Sequence, residues 1–442
     1  NRYGTFPSFS VGWKISEDFF NSPRYGWMDM LKLRFGYGFN GNEPDRNFLY
    51  ETFISTYPEH VYTLGETDRA VFGAAPFYSF GSPELRWESS EMINYGIDFT
   101  GFNGKVEFYA EYYIKNQNDL ITNLPLQLVY GLSGDAQPPL VNLGDIRNSG
   151  FEFSLSYRNY ENPVKFMVSA NLTTVRNTVE FLPSNRIFNS SGTNLAVEGH
   201  SIGSYFGWVA ERILQESDFQ QDENGNPIQN EDGSFIPLVP YQTDFMSPGD
   251  IKFKDLNNDG KINASDQTII GKVIPDFTYG FTFDVRYKNF DLNLLLQGVQ
   301  NVDMYNRYRS RAGLASGNET SKDENKLRVV QDYWTPENPV TNQTRLGLGD
   351  FNDNDRISTW WIEDASFLRV RNLQVGYSLP GNLTDRIGIS GARIFIGGEN
   401  LLTFTGYSGY DPEISSTSAF GAIDDGTYPV PRFYQGGLSV SF

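Results

Sequence analysis

Apolar side chains alternate with small or polar ones along many short segments of this chain. Leu31, Leu33 and Phe35, for example, are separated by Lys32 and Arg34. A period of two places the apolar side chains on one face of a β-strand and the polar ones on the other. The pattern predicts twelve strands, with no sustained helical period between them: 9–15, 31–39, 93–99, 106–114, 151–157, 166–172, 205–209, 277–287, 290–296, 373–379, 394–398 and 438–442.

The last predicted strand carries Leu438, Val440 and Phe442 on one face. Taken alone, it suits either the edge of a soluble sheet or a strand that faces lipid. In a soluble sandwich, charges such as Lys32 and Arg34 opposite an apolar face would be buried at high cost. In a wide barrel they face a wet lumen, so the recurrence of the pattern favours a transmembrane β-barrel.

The connections between predicted strands fall into two classes. The short ones are 102–105, 159–163 and 287–290, and the long ones are 40–90, 116–146, 212–275, 299–360 and 404–434. Outer-membrane barrels have short periplasmic turns and longer outer loops, whereas a soluble sandwich gives no reason for this division. With the long loops outside, the first and the last strand both run toward the periplasm, which requires an odd count. We therefore expect thirteen strands, with one more around 186–199, or eleven.

Composition agrees with this interpretation. The 442 residues include 15% aromatics and 43 glycines, and the mean hydropathy of −0.43 is low because only half of each strand would face lipid. No apolar run approaches the roughly 18 residues of a membrane helix. The chain has no cysteine, which excludes disulfides and thiolate metal sites, and its net charge of −19 argues against nucleic acid as a partner.

The N-terminal residues suggest that the first strand pairs with a part of the barrel outside residues 1–442. Residues 1–6 do not form a signal peptide, so we expect a fragment or a processed product. An open sheet edge is not tolerated in lipid, and the first strand has no visible partner. We expect it to pair with an upstream barrel and plug half, in the same gene product or in a separate chain.

One segment has the spacing of a calcium-binding loop. Oxygen donors occupy positions 1, 3, 5, 9 and 12, Gly260 stands at position 6, and position 7 would use its backbone carbonyl. The predicted ligands are Asp255, Asn257, Asp259, Lys261, Asn263 and Asp266. Asp rather than Glu at position 12 gives a shorter closing ligand, which resembles the dockerin type of loop. The alternative is a turn rich in Asn, Asp and Gly without metal; with calcium, the role would be structural.

Candidate binding and catalytic residues are few. Four loop aromatics, Trp360, Trp361, Tyr407 and Tyr410, could stack on a sugar or a peptide, or could pack within the loops. The two histidines, His60 and His200, lack neighbours suited to catalysis, and Glu363-Asp364 suits an interface or lumen pair better than an acid–base pair. We expect no enzymatic activity. The rival readings are a β-rich glycan hydrolase and a calcium-stabilised β-rich surface binding protein without transport activity.

Several segments together resemble one family. They read RYGTFPSFSVGW (2–13), LKLRFGYGFNGN (31–42), NSGFEF (148–153), GDIKFKDLNNDG (249–260), Ile270-Gly271 with Pro275, DASFLRVRNL (364–373) and GENL (398–401). This set, in this order, is similar to the SusC/RagA-type TonB-dependent transporters of the Bacteroidota. The resemblance implies the outer membrane of a Gram-negative bacterium, with lipid bilayer and lipopolysaccharide (LPS) around the protein.

The resemblance also implies a mechanism and partners. Such transporters have about 22 strands around a plugged lumen, so this chain is predicted to be all-β, the C-terminal half (about 11–13 strands) of a transmembrane antiparallel β-barrel with long extracellular loops. A SusD-like lipoprotein would act as a lid, and TonB-ExbB-ExbD would power import of a glycan or peptide substrate through an N-terminal plug and TonB box, which residues 1–442 do not include. We expect residues 1–442 to form pore wall and substrate vestibule, with the extracellular loop 212–275 carrying the calcium loop.

Overall fold

The computed structural model describes residues 4–20, 25–43, 48–54, 77–79, 81–123, 140–142, 144–182, 186–188, 192–314, 325–347, 349–414, 421 and 423–442. His60 and parts of the predicted long connections lie outside these residues. The chain divides into two compact units. Unit 1 contains Asn1–Phe153, Arg176–Arg186 and Val197–His200, and unit 2 contains Ser154–Val175, Ile187–Ala196 and Ser201–Phe442.

Long strands dominate the described residues. The twelve strands of the main sheet are β1 (Ser8–Lys14), β2 (Met28–Asn42), β3 (Glu88–Gly101), β4 (Val106–Asn118), β5 (Asp145–Asn159), β6 (Val164–Thr174), β7 (Arg176–Phe181), β8 (Phe277–Tyr287), β9 (Phe290–Gln300), β10 (Phe367–Ser378), β11 (Gly391–Thr405) and β12 (Phe433–Ser441). The prediction of an all-β fold is confirmed.

The remaining elements are short. Further strands are Phe53–Ile54, Phe77–Ser79, Ile121–Asn123, Leu140–Asn142, Arg186–Phe188, Asn194–Val197, Ser204–Gly207, Ala210–Ile213, Ile251–Phe253, Thr268–Gly271, Asp303–Asn306, Ile362–Asp364 and Ile423–Asp424. The α-helices are α1 (Ile15–Phe19), α2 (Arg307–Ala312) and α3 (Gly381–Thr384), and the 3₁₀ helices are Glu216–Asp218, Ala264–Asp266, Arg328–Asp332 and Asp385–Ile387. None of the helices in the described ranges has the length and apolar character needed to cross a membrane.

Unit 1 shows what the alternating pattern produces. Its strands follow the order β1-β2-β3-β4-β5, and β7 also pairs with β5. Val11, Phe35 and Tyr95 stand opposite one another on neighbouring antiparallel strands and form part of an apolar face. On the other face, Arg34 donates hydrogen bonds of 2.8 Å to both Asp98 and Glu111. The charges that alternate with the apolar residues are thus paired across strands, which offsets the cost of partly desolvating them.

Unit 2 repeats the arrangement over the order β5-β6-β8-β9-β10-β11-β12. Leu292, Val375 and Ile396 are cross-strand partners on the apolar face. On the opposite face Arg393 donates to Asp291 at 2.9 Å. Exposed large hydrophobic residues recur along this apolar face, and Ile396 is 68% exposed. A continuous apolar face of this kind indicates an apolar environment on that side of the main sheet, which we call the wall.

Two predicted wall strands belong to a different sheet. Residues 205–209 were expected in the wall, but Ser204–Gly207 pairs with Asn194–Val197 and with Thr268–Gly271. The expectation of an additional wall strand at 186–199 is wrong for the same reason. Alternation shows that one face of a strand is apolar, but these short strands bury that face in the loops: Tyr205 and Leu195 are almost completely buried. Apart from β7, the main sheet has eleven strands in its order, within the predicted range.

The long connections of unit 2 have a hydrophobic core of their own. The buried members come from the two connections between β7 and β8 and between β9 and β10, and are Tyr205, Ile213, Ile251, Phe253, Ile262, Tyr305, Leu314, Trp334 and Trp361. Burial of so many large side chains stabilises the loops as a packed layer. This core positions the candidate sites described next.

Candidate functional site

The predicted calcium loop forms a tight coil of backbone around its acidic side chains. Asp255 Oδ2 accepts a hydrogen bond from the Gly260 amide (2.8 Å), and Asn257 Oδ1 accepts one from the Asp259 amide (2.9 Å). Asp259 Oδ1 accepts from the Lys261 amide at 2.9 Å. Gly260 has φ of +81°, which favours glycine, so the sharp turn predicted for position 6 is present.

The second half of the loop is anchored to the loop core. The carboxylate of Asp266, which is fully buried, accepts from the amides of Leu256 (2.9 Å) and Asn263 (2.8 Å) and so joins the two ends of the loop. Ile262 is buried and belongs to the hydrophobic core of the loops. Trp208 Nε1 donates to the Asn263 carbonyl at 3.0 Å. These contacts hold the loop against its neighbours.

The donors of this loop are suited to calcium in type. Three carboxylates, two amide oxygens and one carbonyl are all oxygen ligands, as calcium prefers. Hydrogen bonds, above all from the Lys261 amide, hold the pKa of Asp259 below its ordinary value, so this carboxylate is charged at neutral pH. Within the described ranges, no group of three or more His, Cys, Asp or Glu side chains is arranged to hold a metal. Calcium at Asp255, Asn257, Asp259, Lys261, Asn263 and Asp266 stays a prediction.

The four aromatic candidates occupy different environments. Trp361 is only 2% exposed and donates from Nε1 to the Asn354 carbonyl at 2.9 Å. Tyr407 is also buried, and its hydroxyl donates to Asp424 at 2.6 Å. Trp360 is half-buried against the loop core. Tyr410 is 60% exposed, so among the four it offers the most surface to a ligand.

Tyr410 lines a cavity of about 420 Å³ in the loops of unit 2. Its ring lies 5.7 Å from that of Tyr308, at an angle of 33°. Leu327 and Val329 complete the apolar lining. We call this cavity the tyrosine pocket. Tyr308, Leu327 and Val329 were not singled out in the sequence, because nothing in their spacing shows that the loops bring them together.

The polar lining of the tyrosine pocket is organised by Glu363. Glu363 Oε1 accepts from Asn306 Nδ2 (3.2 Å), Arg309 Nη1 (3.0 Å) and Ser408 Oγ (2.8 Å). Glu363 Oε2 accepts from the Ser408 amide at 2.8 Å. Asn306 begins α2, and its Oδ1 caps the helix by accepting from the Arg309 amide at 2.9 Å. One carboxylate therefore joins α2, the strand Ile362–Asp364 and the segment around residue 408.

A second cavity adjoins the first and shares Gly409 and Tyr410 with it. Its volume is about 490 Å³, and we call it the proline pocket because Pro429 and Pro431 line it. Beside it, Arg369 is buried and paired with Asp411 (2.5 Å) and Glu413 (2.8 Å). The chain from 409 to 413 is thereby fastened to the wall strand β10, which fixes Tyr410 between the two cavities.

A cluster of buried and partly buried acids lies in the same loops. Asp250 pairs with Arg345 at 3.0 Å, and its Oδ1 also accepts from Asn354 Nδ2 at 3.1 Å. Asp350 accepts from Asn354 Nδ2 (2.8 Å) and from the Asp355 amide (2.7 Å). Burial, aided by the neighbouring carboxylates, raises the pKa of Asp350 to about 7. Sequence reasoning missed this cluster, because its members come from segments a hundred residues apart.

Comparison with known proteins identifies relatives over the whole chain. A family model described as "TonB dependent receptor-like, beta-barrel" matches residues 1–401. TonB-dependent receptor P3 of Formosa agariphila is 30% identical over 100% of this chain and 42% of its own length. TonB-dependent receptor SusC of Bacteroides thetaiotaomicron is 28% identical over 100% of this chain and 40% of its own length. The chain thus spans less than half the length of these relatives.

Solved structures show the same fold. The structure of the RagAB peptide transporter matches 99% of this chain and 43% of its own, with a TM-score of 0.75 and 24% identity. The RagAB peptide importer in its "open-open" state matches 100% of this chain and 43% of its own, with a TM-score of 0.74 and 25% identity. These matches confirm the predicted resemblance and the β-barrel fold class.

Proposed function

Because this chain belongs to the TonB-dependent receptor-like β-barrel family, we propose that it forms the pore wall and substrate vestibule of a TonB-dependent outer-membrane importer. The proposed substrates are oligosaccharides or oligopeptides. The localisation predicted from the resemblance is confirmed: this is an outer-membrane protein. The relatives are receptors and transporters rather than enzymes.

The observation that carries the proposal is the two-faced wall. Each unit has an apolar face with large exposed side chains and an opposite face with paired charges. Lipid accepts the first and a hydrated passage accepts the second. The alternative, a calcium-stabilised surface binding protein without transport activity, gives no reason for an apolar face that recurs strand after strand.

The loops of unit 2 supply the vestibule in this proposal. The tyrosine pocket and the proline pocket lie in the long connections, which the predicted orientation places outside the cell. Tyr410 is the proposed contact residue. Trp361 and Tyr407 would not touch the substrate. Their buried rings and hydrogen bonds would instead hold in place the segments that line the pocket. Trp360, which packs against the hydrophobic core of the loops, would also support the pocket rather than touch the substrate.

The proposed partners follow from the resemblance. A SusD-like lipoprotein would close the vestibule as a lid. TonB-ExbB-ExbD would act through a plug and TonB box, and an upstream barrel half would complete the wall. The relatives are TonB-dependent receptors, which supports dependence on TonB. One of the similar structures is that of a peptide transporter, which supports peptides as one substrate class.

Calcium is proposed as a structural ion of the loop layer. The residues that would hold it are Asp255, Asn257, Asp259, Asn263 and Asp266, with the carbonyl of Lys261. When bound, the ion would supply positive charge among carboxylates whose mutual repulsion otherwise destabilises the loop. The chain itself provides the turn at Gly260 and the anchor at Ile262.

Deletion of the gene tests the proposal. A strain without the gene is expected to lose growth on the oligopeptides or oligosaccharides that the protein imports, and the restored gene should recover it. The same restored gene should fail in a host that lacks TonB. Growth that the restored gene supports equally well without TonB would contradict the proposed function.

A further inference from the structure

We propose that the tyrosine pocket binds an apolar or aromatic side chain of an oligopeptide, so that the importer takes peptides in preference to glycans. This inference rests on the proposed import function. It narrows that function to one substrate class and assigns a subsite for it.

Much of the polar lining of the pocket is already engaged in hydrogen bonds. The side chains of Asn306, Arg309 and Ser408 all donate hydrogen bonds to Glu363. Arg309 Nη1 also donates to the Trp360 carbonyl at 3.3 Å. Glu363 and the donors Asn306 Nδ2, Arg309 Nη1 and Ser408 Oγ are thus engaged with one another, which reduces the polar surface that they offer to a ligand.

The rest of the pocket surface favours apolar groups. It consists mainly of the rings of Tyr308 and Tyr410 and the aliphatic side chains of Leu327 and Val329, with the tyrosine hydroxyls and Nε and Nη2 of Arg309 as its remaining polar groups. A sugar ring bound here would lose water from its hydroxyls without gaining a matching set of partners, which is costly. A phenylalanine or leucine side chain has no such requirement and gains from leaving water.

The size of the pocket also suits a ligand. A volume of about 420 Å³ lies within the range of about 300–1,000 Å³ typical of ligand pockets. The proline pocket adjoins it, with Tyr410 between them. Two adjoining cavities suit a chain ligand that places one residue in each.

The pocket is also held in shape before a ligand arrives. Arg309 pairs with Glu363 and lies over the ring of the buried Trp361, with its guanidinium carbon 5.6 Å from the ring centre. The strand Asp303–Asn306 pairs with both Ile362–Asp364 and Ile423–Asp424. A floor fixed by three strands and an ion pair reduces the ordering that a ligand must impose.

Calorimetric titration of the protein, purified from outer membranes in detergent, tests the inference. The probes are glycyl-glycyl-phenylalanyl-glycyl-glycine, the same peptide with serine in the centre, and maltoheptaose. The phenylalanine peptide should bind at least about tenfold more tightly than the serine peptide, and maltoheptaose should bind more weakly than the phenylalanine peptide.

Two substitutions with matched controls locate the effect. Val329→Asp introduces a charge into the pocket and should abolish the preference for phenylalanine, whereas Val340→Asp, at a valine that is 92% exposed and outside the pocket, should retain it. Tyr410→Ala should weaken binding of the phenylalanine peptide at least about fivefold, whereas Tyr333→Ala should leave its affinity unchanged. Retention of the heat-modifiable band on gels shows that each variant is folded.

Several outcomes would overturn the inference. These are equal affinity for the two peptides, absence of peptide binding, a preference that survives Val329→Asp, or maltoheptaose binding that Tyr410→Ala weakens. Uptake by cells separates this failure from that of the proposed function. If TonB-dependent uptake persists in any of these cases, only the peptide subsite is wrong; if no TonB-dependent uptake of either substrate class occurs, the importer proposal fails as well.

Discussion

At the scale of single residues, the carboxyl groups of the loop layer differ most in their surroundings. Asp350 is enclosed beside Asp250 and Asp355, and burial raises its pKa from an ordinary 3.8 to about 7. Asp353, three residues further on, is exposed. The same residue type therefore has very different surroundings within one short segment.

This difference gives a prediction for pH. Because the pKa of Asp350 is higher in the folded loop than in an unfolded chain, its protonated form stabilises the fold. The contribution is complete below about pH 4, declines as the pH rises, and is gone above about pH 7.

Asp350→Asn should remove this dependence, since an amide does not titrate. Amide hydrogen exchange of residues 350–361, measured between pH 5 and pH 8 and corrected for intrinsic rates, reports it. Protection should fall with rising pH in the unsubstituted protein and fall less in Asp350→Asn, where the neighbouring Asp250, whose pKa burial also raises, still titrates. Asp353→Asn is the control and should behave as the unsubstituted protein does. Equal pH dependence in Asp350→Asn would contradict the assignment.

The calcium loop gives a second prediction at this scale. Terbium replaces calcium at oxygen sites, and Trp208 lies against the loop because it donates to the Asn263 carbonyl. Excitation of tryptophan should therefore produce saturable terbium emission that calcium displaces. Loss of a group that only supports a metal ligand lowers metal affinity about 10–100-fold. Asp255 and Asp259 are proposed as ligands themselves, so the double variant Asp255→Ala, Asp259→Ala should weaken terbium binding at least about tenfold.

Two further variants make the terbium experiment specific. Trp208→Phe should reduce the emission while calcium affinity, measured by calorimetry, is retained. Asp232→Asn changes an acidic turn residue of the same loop outside residues 255–266 and should leave both signals unchanged. Emission that persists in the doubly substituted loop would show that the ion binds elsewhere.

At the scale of elements, the wall strands are where sequence reasoning succeeded best. A period of two identified β2 and its neighbours, because the pattern follows directly from one face in lipid and one in water. The predicted strand 277–287 coincides with β8, but most predicted strands are shorter than the observed ones, such as 31–39 against Met28–Asn42 for β2. The backbone hydrogen bonds between strands continue past the residues with alternating apolar side chains. These outer residues show no hydrophobic pattern because strand pairing does not require apolar side chains.

The loop elements could not be predicted in the same way. Ser204–Gly207 has wall-like alternation but pairs inside the loop sheet. The calcium-type turn was recognisable because its donors are close in sequence. The tyrosine pocket was not, since its residues come from the segments 306–309, 327–329 and 408–410, of which the first and the last are joined by the hydrogen bonds of Glu363. Local patterns reveal local geometry, and long-range contacts leave little trace in a single sequence.

The two faces of β10 give a prediction for this scale. Val375 lies on the apolar face opposite Leu292 and Ile396, whereas its neighbour Gln374 lies on the opposite face and lines a polar cavity of about 670 Å³. Val375→Lys should cost about 2–4 kcal/mol of barrel stability if it lies near the bilayer centre. Gln374→Lys, one residue away, should cost much less.

Urea unfolding of the protein in lipid vesicles, followed by the loss of the heat-modifiable band, compares the two variants. A large shift of the midpoint for Val375→Lys with little change for Gln374→Lys is the expected result. Equal shifts, or a larger one for Gln374→Lys, would show that the faces of β10 have been assigned to the wrong environments.

At the scale of the whole molecule, the wall, the loop layer and the acidic surface serve one proposed task. In the proposed function, the paired charges of the wall would face the hydrated passage, and the two cavities of the packed loops would receive the substrate. The net charge of −19 gives the surface an overall negative field. The energy for import would enter through TonB, so the wall described here needs no catalytic group.

The measurement that tests this account most directly is the uptake of a labelled substrate, oligopeptide or oligosaccharide, by living cells with and without the protein. The account predicts uptake that requires the protein, stops in cells without TonB, and stops when a protonophore collapses the proton gradient of the inner membrane. Uptake through this protein that continues at an unchanged rate after the gradient has collapsed would contradict it.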